Sequence, residues 1–440
     1  MWCLISQPNS VVIEVRVDPK AIGQECLEKV CEHLNISKEC DYFGLKYESS
    51  KGEELWLNLR NPIDRQIGVH GHNTSVRFAL RVKFWVPPHL LLQESTRHQF
   101  YLHARLDLCE KKLIVPDSDI AVRLVALIAQ AEFGNYSHQH HPQNIYAVLR
   151  TIIPRDASVS HQDLLWKLVA EHKNCADMKP CTAEYWFLKE VATLETFGEE
   201  MFQLKPSNAT VQWQKVDNVR LGVGPHGVTK YDDRGGSEKL LIPFTAIQSA
   251  SSHRRTFKLE YVNMDNVLAH FEVKLESSHA ANGLYRAITE KHAFYSCETV
   301  RSAVTEQFIR DLKGTIVSIF NEDSSLGKKY VFDIRRTCRE VYDNARRALY
   351  QESQVPNQMQ EEDVGNLDGK HCSDSHERLT RILDAMTCKI CMDNQINTAF
   401  FPCAHIVACS LCASKCDRCP LCRADIKQSE KVYLPTDLQQ

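Results

Sequence analysis

The chain has 440 residues, 43% of them hydrophobic and 25% charged, and its formal net charge is −3 at pH 7. A chain of this length and ordinary composition predicts several globular domains. The small net charge argues against a general nucleic-acid-binding protein, and no apolar run approaches the roughly 18 residues that a membrane-spanning helix needs. The first residues lack the charged start and long apolar core of a secretion signal, so we interpret them as part of a folded domain.

The first predicted domain begins with a half-buried strand. Apolar and charged residues alternate over residues 11–17, and apolar residues then recur at helical spacing from Ile22 to Leu34. The short apolar stretches DYFGLKY and LWLNL follow. A strand, a helix and two further strands are typical of a ubiquitin-like β-grasp fold, which we assign to residues 1–86.

Residues 87–198 are predicted to be mostly helical. The start signal PDS precedes a wide apolar stripe over residues 120–133. Two more helical patterns occupy residues 164–169 and 185–194. The loop at 138–141 holds three histidines beside a proline. Its polar setting favours a solvated loop over a metal site.

In the next segment apolar residues recur at every second position, as in strands. We assign this third predicted domain to residues 199–296. Its candidate strands are VQWQKV, VRLGVGPHGV, KLLIPF, RTFKLEYV and VLAHFEVKL, separated by Gly, Pro, Asn and Asp. One long helical stretch, HAANGLYRAITEKHAFY, follows them. Short strands closed by a single helix resemble a pleckstrin-homology or phosphotyrosine-binding barrel.

The closing helix of this barrel has two distinct faces. The residues predicted to face the core are Leu284, Ala287, Ile288 and Phe294. Tyr285 and Thr289 lie four residues apart and share another face. A barrel of this kind presents a groove between a strand edge and its closing helix, which suits an extended peptide that adds as a strand. An ordinary solvated helix face is the alternative interpretation of these two residues.

Three stretches, DYFGL, ALIAQAEFGNY and GLYRAITEKHAF, together resemble the FERM domain. The resemblance implies three lobes in one recognition module, with Tyr285 and Thr289 near a groove that binds cytoplasmic tails of membrane receptors, lipoprotein receptors among them. It also implies a cytoplasmic, peripheral location at the plasma membrane, cytoskeletal partners and contact with anionic lipid. The candidate lipid contacts are Arg254, Arg255, Lys328, Lys329, Arg335 and Arg336. A solvated charged face is the alternative for each of them.

The chain after the barrel changes composition twice. Residues 297–350 keep helical spacing, and we interpret them as a helical extension of the third lobe. Residues 351–376 lose most apolar side chains, which predicts a flexible linker, and Cys372 within it has no predicted role. A short amphipathic helix at 379–386 then leads into the last domain, which we assign to residues 377–440.

The last domain carries closely spaced metal-ligand pairs. Eight of the 18 cysteines fall within the 35 residues from Cys388 to Cys422. Pairs at C-x-x-C or C-x-H spacing place two ligands on one tight turn, and two pairs complete a tetrahedral zinc shell. The predicted ligands are Cys388, Cys391, Cys403, His405, Cys409, Cys412, Cys419 and Cys422. Two closed zinc sites are therefore expected rather than a disulfide cluster, since the other cysteines are scattered as in a reducing compartment.

The order of three Cys, one His and four Cys resembles the RING finger. In that family the sites interleave, which implies one shell of Cys388, Cys391, Cys409 and Cys412, and another of Cys403, His405, Cys419 and Cys422. The resemblance implies no covalent catalytic residue, because a RING finger binds a ubiquitin-charged conjugating enzyme and positions it. The implied contact residues are Ile390, Cys416, Pro420 and Arg423. The alternatives are packing of the metal turns, an ordinary surface position for Arg423, and Cys416 as a substitute ligand.

The tail after the zinc ligands contains the stretch KVYLPT, in which Val432 and Leu434 flank a tyrosine. An apolar strand at the edge of a small domain invites pairing. The resemblance implies that this tail joins two RING units, and packing onto its own finger is the alternative.

A FERM domain followed by a RING finger resembles the FERM-plus-RING ubiquitin ligases. We therefore expect a multidomain α+β protein that acts as a RING-type E3 ubiquitin transferase and leads membrane receptors to degradation. A non-enzymatic FERM adaptor that links membrane proteins to the cytoskeleton is the alternative.

Overall fold

The computed structural model divides into two compact units, Met1–Val355 and Pro356–Gln440. The described residues are 1–18, 20–49, 51–68, 75–137, 152, 161–204, 219–232, 239–300, 333–354, 388, 390, 394–422 and 424–432. The predicted histidine loop, the strand VQWQKV, most of the linker with Cys372, and the helix at 379–386 lie outside these ranges. Within them, no helix has both the length and the apolar character needed to cross a membrane.

The first lobe is a β-grasp fold, as predicted. Its elements are β1 Trp2–Ser6, β2 Val12–Arg16, α1 Gly23–His33, β3 Phe43–Glu48, β4 Glu54–Trp56, α2 Ile63–Ile67 and β5 Ser75–Val82. The sheet order is β2-β1-β5-β3-β4, and β1 pairs with β5 in parallel. Alternate residues of β1, Cys3 and Ile5, are fully buried. This alternation places one face of the sheet on the core and leaves the other in solvent.

The second lobe is helical. Its described helices are α3 Glu94–Cys109, α4 Ser118–Phe133, α5 His161–Asn174 and α6 Pro180–Val191. The predicted start of α4 is confirmed, since Asp117 caps it and its Oδ1 accepts a 2.8 Å hydrogen bond from the backbone N–H of Ile120. The apolar stripe of α4 packs against α5 and α6, and the cores of the first two lobes are continuous.

The third lobe holds two antiparallel sheets closed by one helix. The strands are β6 Glu200–Gln203, β7 Val219–Gly224, β8 Gly227–Asp232, β9 Lys239–Pro243, β10 Ile247–His253, β11 Thr256–Val262 and β12 Leu268–Lys274. The sheets have the orders β6-β7-β8-β9 and β10-β11-β12. Helix α7, Ser278–Ser296, contacts both sheets. The predicted barrel with one closing helix is confirmed.

Two further parts follow the barrel. Helix α8, Cys338–Gln354, belongs to the first compact unit, while residues 301–332 of the predicted extension lie outside the described ranges. The second unit contains β13 Thr398–Phe401, β14 His405–Ala408, α9 Ser410–Ala413 and β15 Gln428–Lys431, with the sheet order β14-β13-β15. Its small core is built around Phe400 and Ala408 together with several of the cysteines.

Candidate metal centre and binding groove

One group of predicted ligands in the second unit converges on a point. Its members are Cys403, His405, Cys419 and Cys422. The four ligand atoms all lie within 4.8 Å of one another, and Cys419 Sγ is 3.7 Å from His405 Nδ1. Zinc–sulfur bonds of about 2.3 Å in a tetrahedron place ligand atoms roughly 3.8 Å apart. The donor set and its spacing therefore fit a zinc ion.

A second group brings together Cys388, Cys409 and Cys412, whose sulfur atoms also lie within 4.8 Å of one another. Cys391, the fourth ligand predicted for this shell, lies outside the described residues. Each group combines ligands from separate turns of the chain, in the interleaved arrangement that the RING resemblance implies. Cys416 is in neither group. Its thiol donates to the Cys412 carbonyl oxygen at 3.3 Å, and its side chain is half-buried.

The local backbone explains how these turns form. Cys388 donates its backbone N–H to the Asn394 carbonyl oxygen at 2.7 Å, and Cys419 donates to Ala424 at 2.9 Å. Burial raises the pKa of the Cys419 thiol, but backbone N–H groups of Cys422 and Leu421 act against it and lower the pKa to about 7. Such turns favour the thiolate, which is the form that binds zinc.

Several apolar side chains around the metal ligands face solvent. Ile390 is 42% exposed, and Pro420 is also exposed. Two further leucines stand out, Leu411 at 71% and Leu421 at 64% exposed. Sequence reasoning missed both, although each lies inside a C-x-x-C turn, where the two ligands point inward and the residues between them are free to point outward. Arg423 lies outside the described residues.

The end of the second unit pairs with its own sheet. Strand β15 runs antiparallel to β13, and the Val432 N–H donates to the Asn397 carbonyl oxygen at 2.8 Å. Leu434 lies outside the described residues. Residues 428–432, which include the first two residues of KVYLPT, therefore pair with the finger's own sheet, and in the described part of the chain β15 is an exposed edge strand.

The predicted groove requires a strand edge beside the closing helix, and β10 beside α7 provides one. Among the described residues β10 pairs with β11 alone, so its other edge is open beside α7, which packs against it. Ser277 caps α7 by accepting the N–H of Ala280 at 2.9 Å. The predicted core face of α7 is confirmed, since all four of its residues are buried. These are Leu284, Ala287, Ile288 and Phe294.

The two residues predicted to line the groove differ in exposure. Tyr285 is half-buried at the edge of the barrel core. Thr289 is only 8% exposed, and its hydroxyl donates to the Tyr285 carbonyl oxygen of the same helix at 2.9 Å. The expected shared outer face thus contains one accessible side chain. Residues four apart in a helix point in nearly the same direction, but the exposure of each side chain depends on how closely the sheet packs beneath it.

The candidate lipid contacts do not form one free basic surface. Arg335 pairs with Glu28 at 2.5 Å and Arg336 pairs with the buried Asp41 at 2.9 Å. Arg254 and Arg255 are exposed between β10 and β11. Lys328 and Lys329 lie outside the described residues. Two of the six cations are therefore engaged within the protein.

Three parts of the chain match known domain families. Residues 5–68 match the FERM N-terminal domain and residues 86–202 the FERM central domain. Residues 384–429 match the family described as "Zinc finger, C3HC4 type (RING finger)". The third match contains all eight predicted zinc ligands.

Among curated proteins, the chain is similar to mouse tyrosine-protein phosphatase non-receptor type 14, with 28% identity over 291 residues. That match covers 65% of this chain and 23% of the phosphatase. Mouse protein 4.1 is 27% identical over 312 residues, which cover 70% of this chain and 34% of protein 4.1. The chain thus spans about a quarter to a third of the length of these relatives.

Among solved structures, the fold is similar to that of the FERM and C-terminal domain complex of Drosophila Merlin, with a TM-score of 0.55 and 21% identity. The match covers 67% of this chain and 96% of the Merlin chain. The Dictyostelium discoideum myosin VII MyTH4-FERM MF2 domain gives a TM-score of 0.51 at 14% identity, covering 67% of this chain and 58% of that one. The family matches and the shared fold together identify this chain as one with a FERM domain and a C-terminal RING-type zinc finger.

Proposed function

We propose that this protein is a RING-type E3 ubiquitin transferase whose FERM domain binds cytoplasmic tails of membrane receptors, lipoprotein receptors among them, and so directs those receptors to degradation. The observation that carries the proposal is the presence of both modules in one chain. One module selects a target and the other recruits the transfer machinery.

The finger in this proposal holds two structural zinc ions. One would be bound by Cys403, His405, Cys419 and Cys422, and the other by Cys388, Cys391, Cys409 and Cys412. Zinc in such closed shells supplies folding energy, on the order of 10–16 kcal/mol per site. With all four positions taken by protein ligands, neither ion has an open site for a substrate.

Ubiquitin transfer would then depend on positioning. Ile390, Pro420 and the half-buried Cys416, together with the exposed Leu421, would contact the conjugating enzyme, and Arg423 would hold it against ubiquitin with its planar set of donors. Fixing the charged enzyme in a reactive geometry lowers the barrier without a covalent step in the finger.

The receptor tail would add as a strand to the open edge of β10. Backbone hydrogen bonds supply affinity in this mode, and side-chain pockets supply specificity. Tyr285 of α7 is the candidate side-chain contact, and the Thr289 hydroxyl donates to its carbonyl oxygen within the helix. Arg254 and Arg255 are the candidates for contact with anionic lipid, which fits a peripheral position at the cytoplasmic face of the plasma membrane.

Replacing Ile390 by Ala tests the enzymatic part of the proposal. An isoleucine side chain has no atom that binds zinc, so the variant should still bind zinc and the receptor tail. Its rate of ubiquitin transfer should fall at least about tenfold. The assay uses the purified full chain with several charged conjugating enzymes. The matched control is Leu411→Ala, another exposed apolar residue of the finger, which should change transfer less.

The second candidate function is a non-enzymatic adaptor that links membrane proteins to cytoskeletal partners. The similarity to protein 4.1 over the FERM part favours it. In that case the finger would serve as a structural or dimerising unit, with β15, Val432 and Leu434 joining two copies. Wild-type chain that binds zinc yet transfers no ubiquitin with any conjugating enzyme would favour the adaptor over the ligase.

A further inference from the structure

A segment that follows the barrel returns to the first lobe and inserts an acidic side chain between lobes. The Asp333 side chain is 2% exposed. Its Oδ2 lies 2.6 Å from the Arg286 guanidinium on α7 and 3.6 Å from Lys83 Nζ, just after β5. Its Oδ1 accepts the backbone N–H of Leu59 at 3.2 Å. One carboxylate therefore contacts the β-grasp lobe and the closing helix of the barrel at once.

The charges at this junction balance. Lys83 also pairs with Glu290 of α7 at 2.8 Å, and Arg286 pairs with Glu290 at 3.0 Å. Two cations thus face two carboxylates, and three of the four side chains are no more than 6% exposed. Removing one member of such a buried set leaves a charge uncompensated, which is strongly destabilising.

The residues next to Asp333 extend the same attachment. Arg60 donates to the Ile334 carbonyl oxygen at 3.2 Å. Arg336 pairs with the buried Asp41 at 2.9 Å. Ile334 itself is buried in the core shared by the first two lobes. The segment is therefore bound along its length to the β-grasp lobe.

Helix α8 is tied to the other side of the junction. Thr337 and Glu340 form a reciprocal capping box, in which the Thr337 N–H donates to Glu340 at 2.9 Å and the Glu340 N–H donates to Thr337 at 3.3 Å. The Thr337 hydroxyl also donates to the Glu298 carbonyl oxygen at 3.0 Å, just beyond the end of α7. Val341 and Ala345 of α8 are buried.

We propose that residues 333–345, here called the strap, clamp α7 to the β-grasp lobe through the Asp333 carboxylate and so set the position of the helix that forms one wall of the β10 groove. The attachment of α7 to the β-grasp lobe follows from these contacts. Its effect on a bound receptor tail rests on the function proposed for the groove. Asp333 is accordingly a positioning residue, because it acts on the groove through Arg286, the neighbour of Tyr285 on α7.

Asp333→Asn in the full chain tests the strap. The amide keeps the shape but leaves Lys83 and Arg286 facing Glu290 alone. Hydrogen exchange should show at least about tenfold faster exchange at the Leu59 amide and at residues 341–345. Binding of a receptor-tail peptide should weaken about threefold or more. Unchanged exchange at both places would overturn the proposal. The matched control is Asp119→Asn, which breaks an exposed pair with Lys167 in the helical lobe, away from the strap, and should leave both measurements at wild-type values.

A double substitution separates clamping from general destabilisation. Adding Arg286→Gln to Asp333→Asn restores a one-to-one balance between Lys83 and Glu290, so the thermal midpoint should recover in part. The strap should nevertheless remain released, with fast exchange at residues 341–345, because its carboxylate is still missing. Recovery of slow exchange along with the midpoint would show a purely structural role and overturn the proposal.

A milder variant covers the case in which Asp333→Asn does not fold. Arg336→Gln removes the pair with Asp41 near the start of the strap and should accelerate exchange in α8 several-fold. Exchange at the wild-type rate would contradict the strap. If the wild-type chain binds no receptor-tail peptide, the proposed function of the groove fails, and the exchange measurements still decide whether the strap exists.

Discussion

At the scale of single residues, the buried side chain of His103 in α3 shows how the fold creates a pH dependence. Its Nδ1 lies 2.6 Å from the Gln99 carbonyl oxygen and its Nε2 lies 2.9 Å from the Leu80 carbonyl oxygen. These two acceptors favour the protonated ring, but burial opposes it more strongly and lowers the pKa of His103 to about 4. The ring is therefore neutral at pH 7 and donates to one of the two carbonyl oxygens.

The stability of the first compact unit should fall as the medium is acidified below neutrality. An unfolded histidine has a pKa of about 6.5, so between this value and about 4 only the unfolded state binds the proton. The contribution of His103 to the free energy of unfolding is thus fully present above pH 6.5 and is lost as the pH falls toward 4. Between pH 7 and pH 5 the free energy of unfolding should fall by about 2 kcal/mol. Denaturant unfolding at both values measures it.

His103→Gln removes this contribution to the pH dependence of the free energy of unfolding, which is the slope that denaturant unfolding measures. The variant should lose less stability between pH 7 and pH 5 than the wild type, whatever its stability at pH 7. His253→Gln, at the exposed end of β10, is the matched control and should keep the wild-type slope. Equal slopes for all three proteins would refute the assignment.

The metal ligands were the residues most open to prediction from sequence, because a two-residue or one-residue gap fixes a tight turn whatever surrounds it. Seven of the eight predicted ligands are described, and they fall into two groups of converging atoms. Thr289 and Leu411 could not be placed in the same way. Their exposure depends on the depth of packing beneath them, which residue spacing does not encode.

At the scale of elements, α7 depends on its first turn. The Ser277 side chain accepts the Ala280 N–H at 2.9 Å, which satisfies a backbone donor that the helix leaves without a partner. Because α7 contacts both sheets of the third lobe, weakness at this end affects the barrel as a whole.

Ser277→Ala should therefore destabilise the first unit by about 1 kcal/mol. Chemical denaturation gives the change, and hydrogen exchange should place it in the first turn of α7. Ser277→Asp is the matched control, since its carboxylate also accepts the N–H and favours a helix start, so it should keep wild-type stability. A loss in the Asp variant as large as in the Ala variant would argue against capping as the cause.

Among the elements that escaped prediction, α3 and β10 did so for different reasons. Helix α3 is buried around most of its circumference and includes polar residues in its core, among them Arg97 and Gln99, so it lacks a clear apolar stripe. Strand β10, IQSASSH, is rich in serine and does not alternate strongly. Both elements owe their conformation to neighbours that are distant in sequence. The barrel itself was predictable because apolar residues recur at strand spacing in β11 and at helical spacing in α7.

At the scale of the whole molecule, the two compact units draw their stability from different sources. The first has a large apolar core that joins the β-grasp and helical lobes. The second has a small core in which cysteines form a substantial part. A domain of this size and composition needs metal to fold.

Chelation should therefore unfold the second unit alone. We expect EDTA to abolish protection of residues 394–432 from hydrogen exchange while the first unit keeps both its protection and its thermal transition. Elemental analysis should find two zinc ions per wild-type chain, one for each group of ligands. Cys388→Ser should lower that content, and Cys372→Ser, in the predicted linker, should not. Protection of the finger in excess chelator would contradict a metal-dependent fold.

The serine-rich composition of β10 has a consequence for solubility. An unpaired strand edge that waits for a ligand is also a template on which identical chains can assemble. Serine and alanine have weak strand preference and little apolar surface, so pairing between the β10 edges of two unliganded copies releases little free energy. A partner with large side chains of its own can still bind. Exchanging Ser251 and Ser252 for valine should therefore increase aggregation of the protein through the β10 edge.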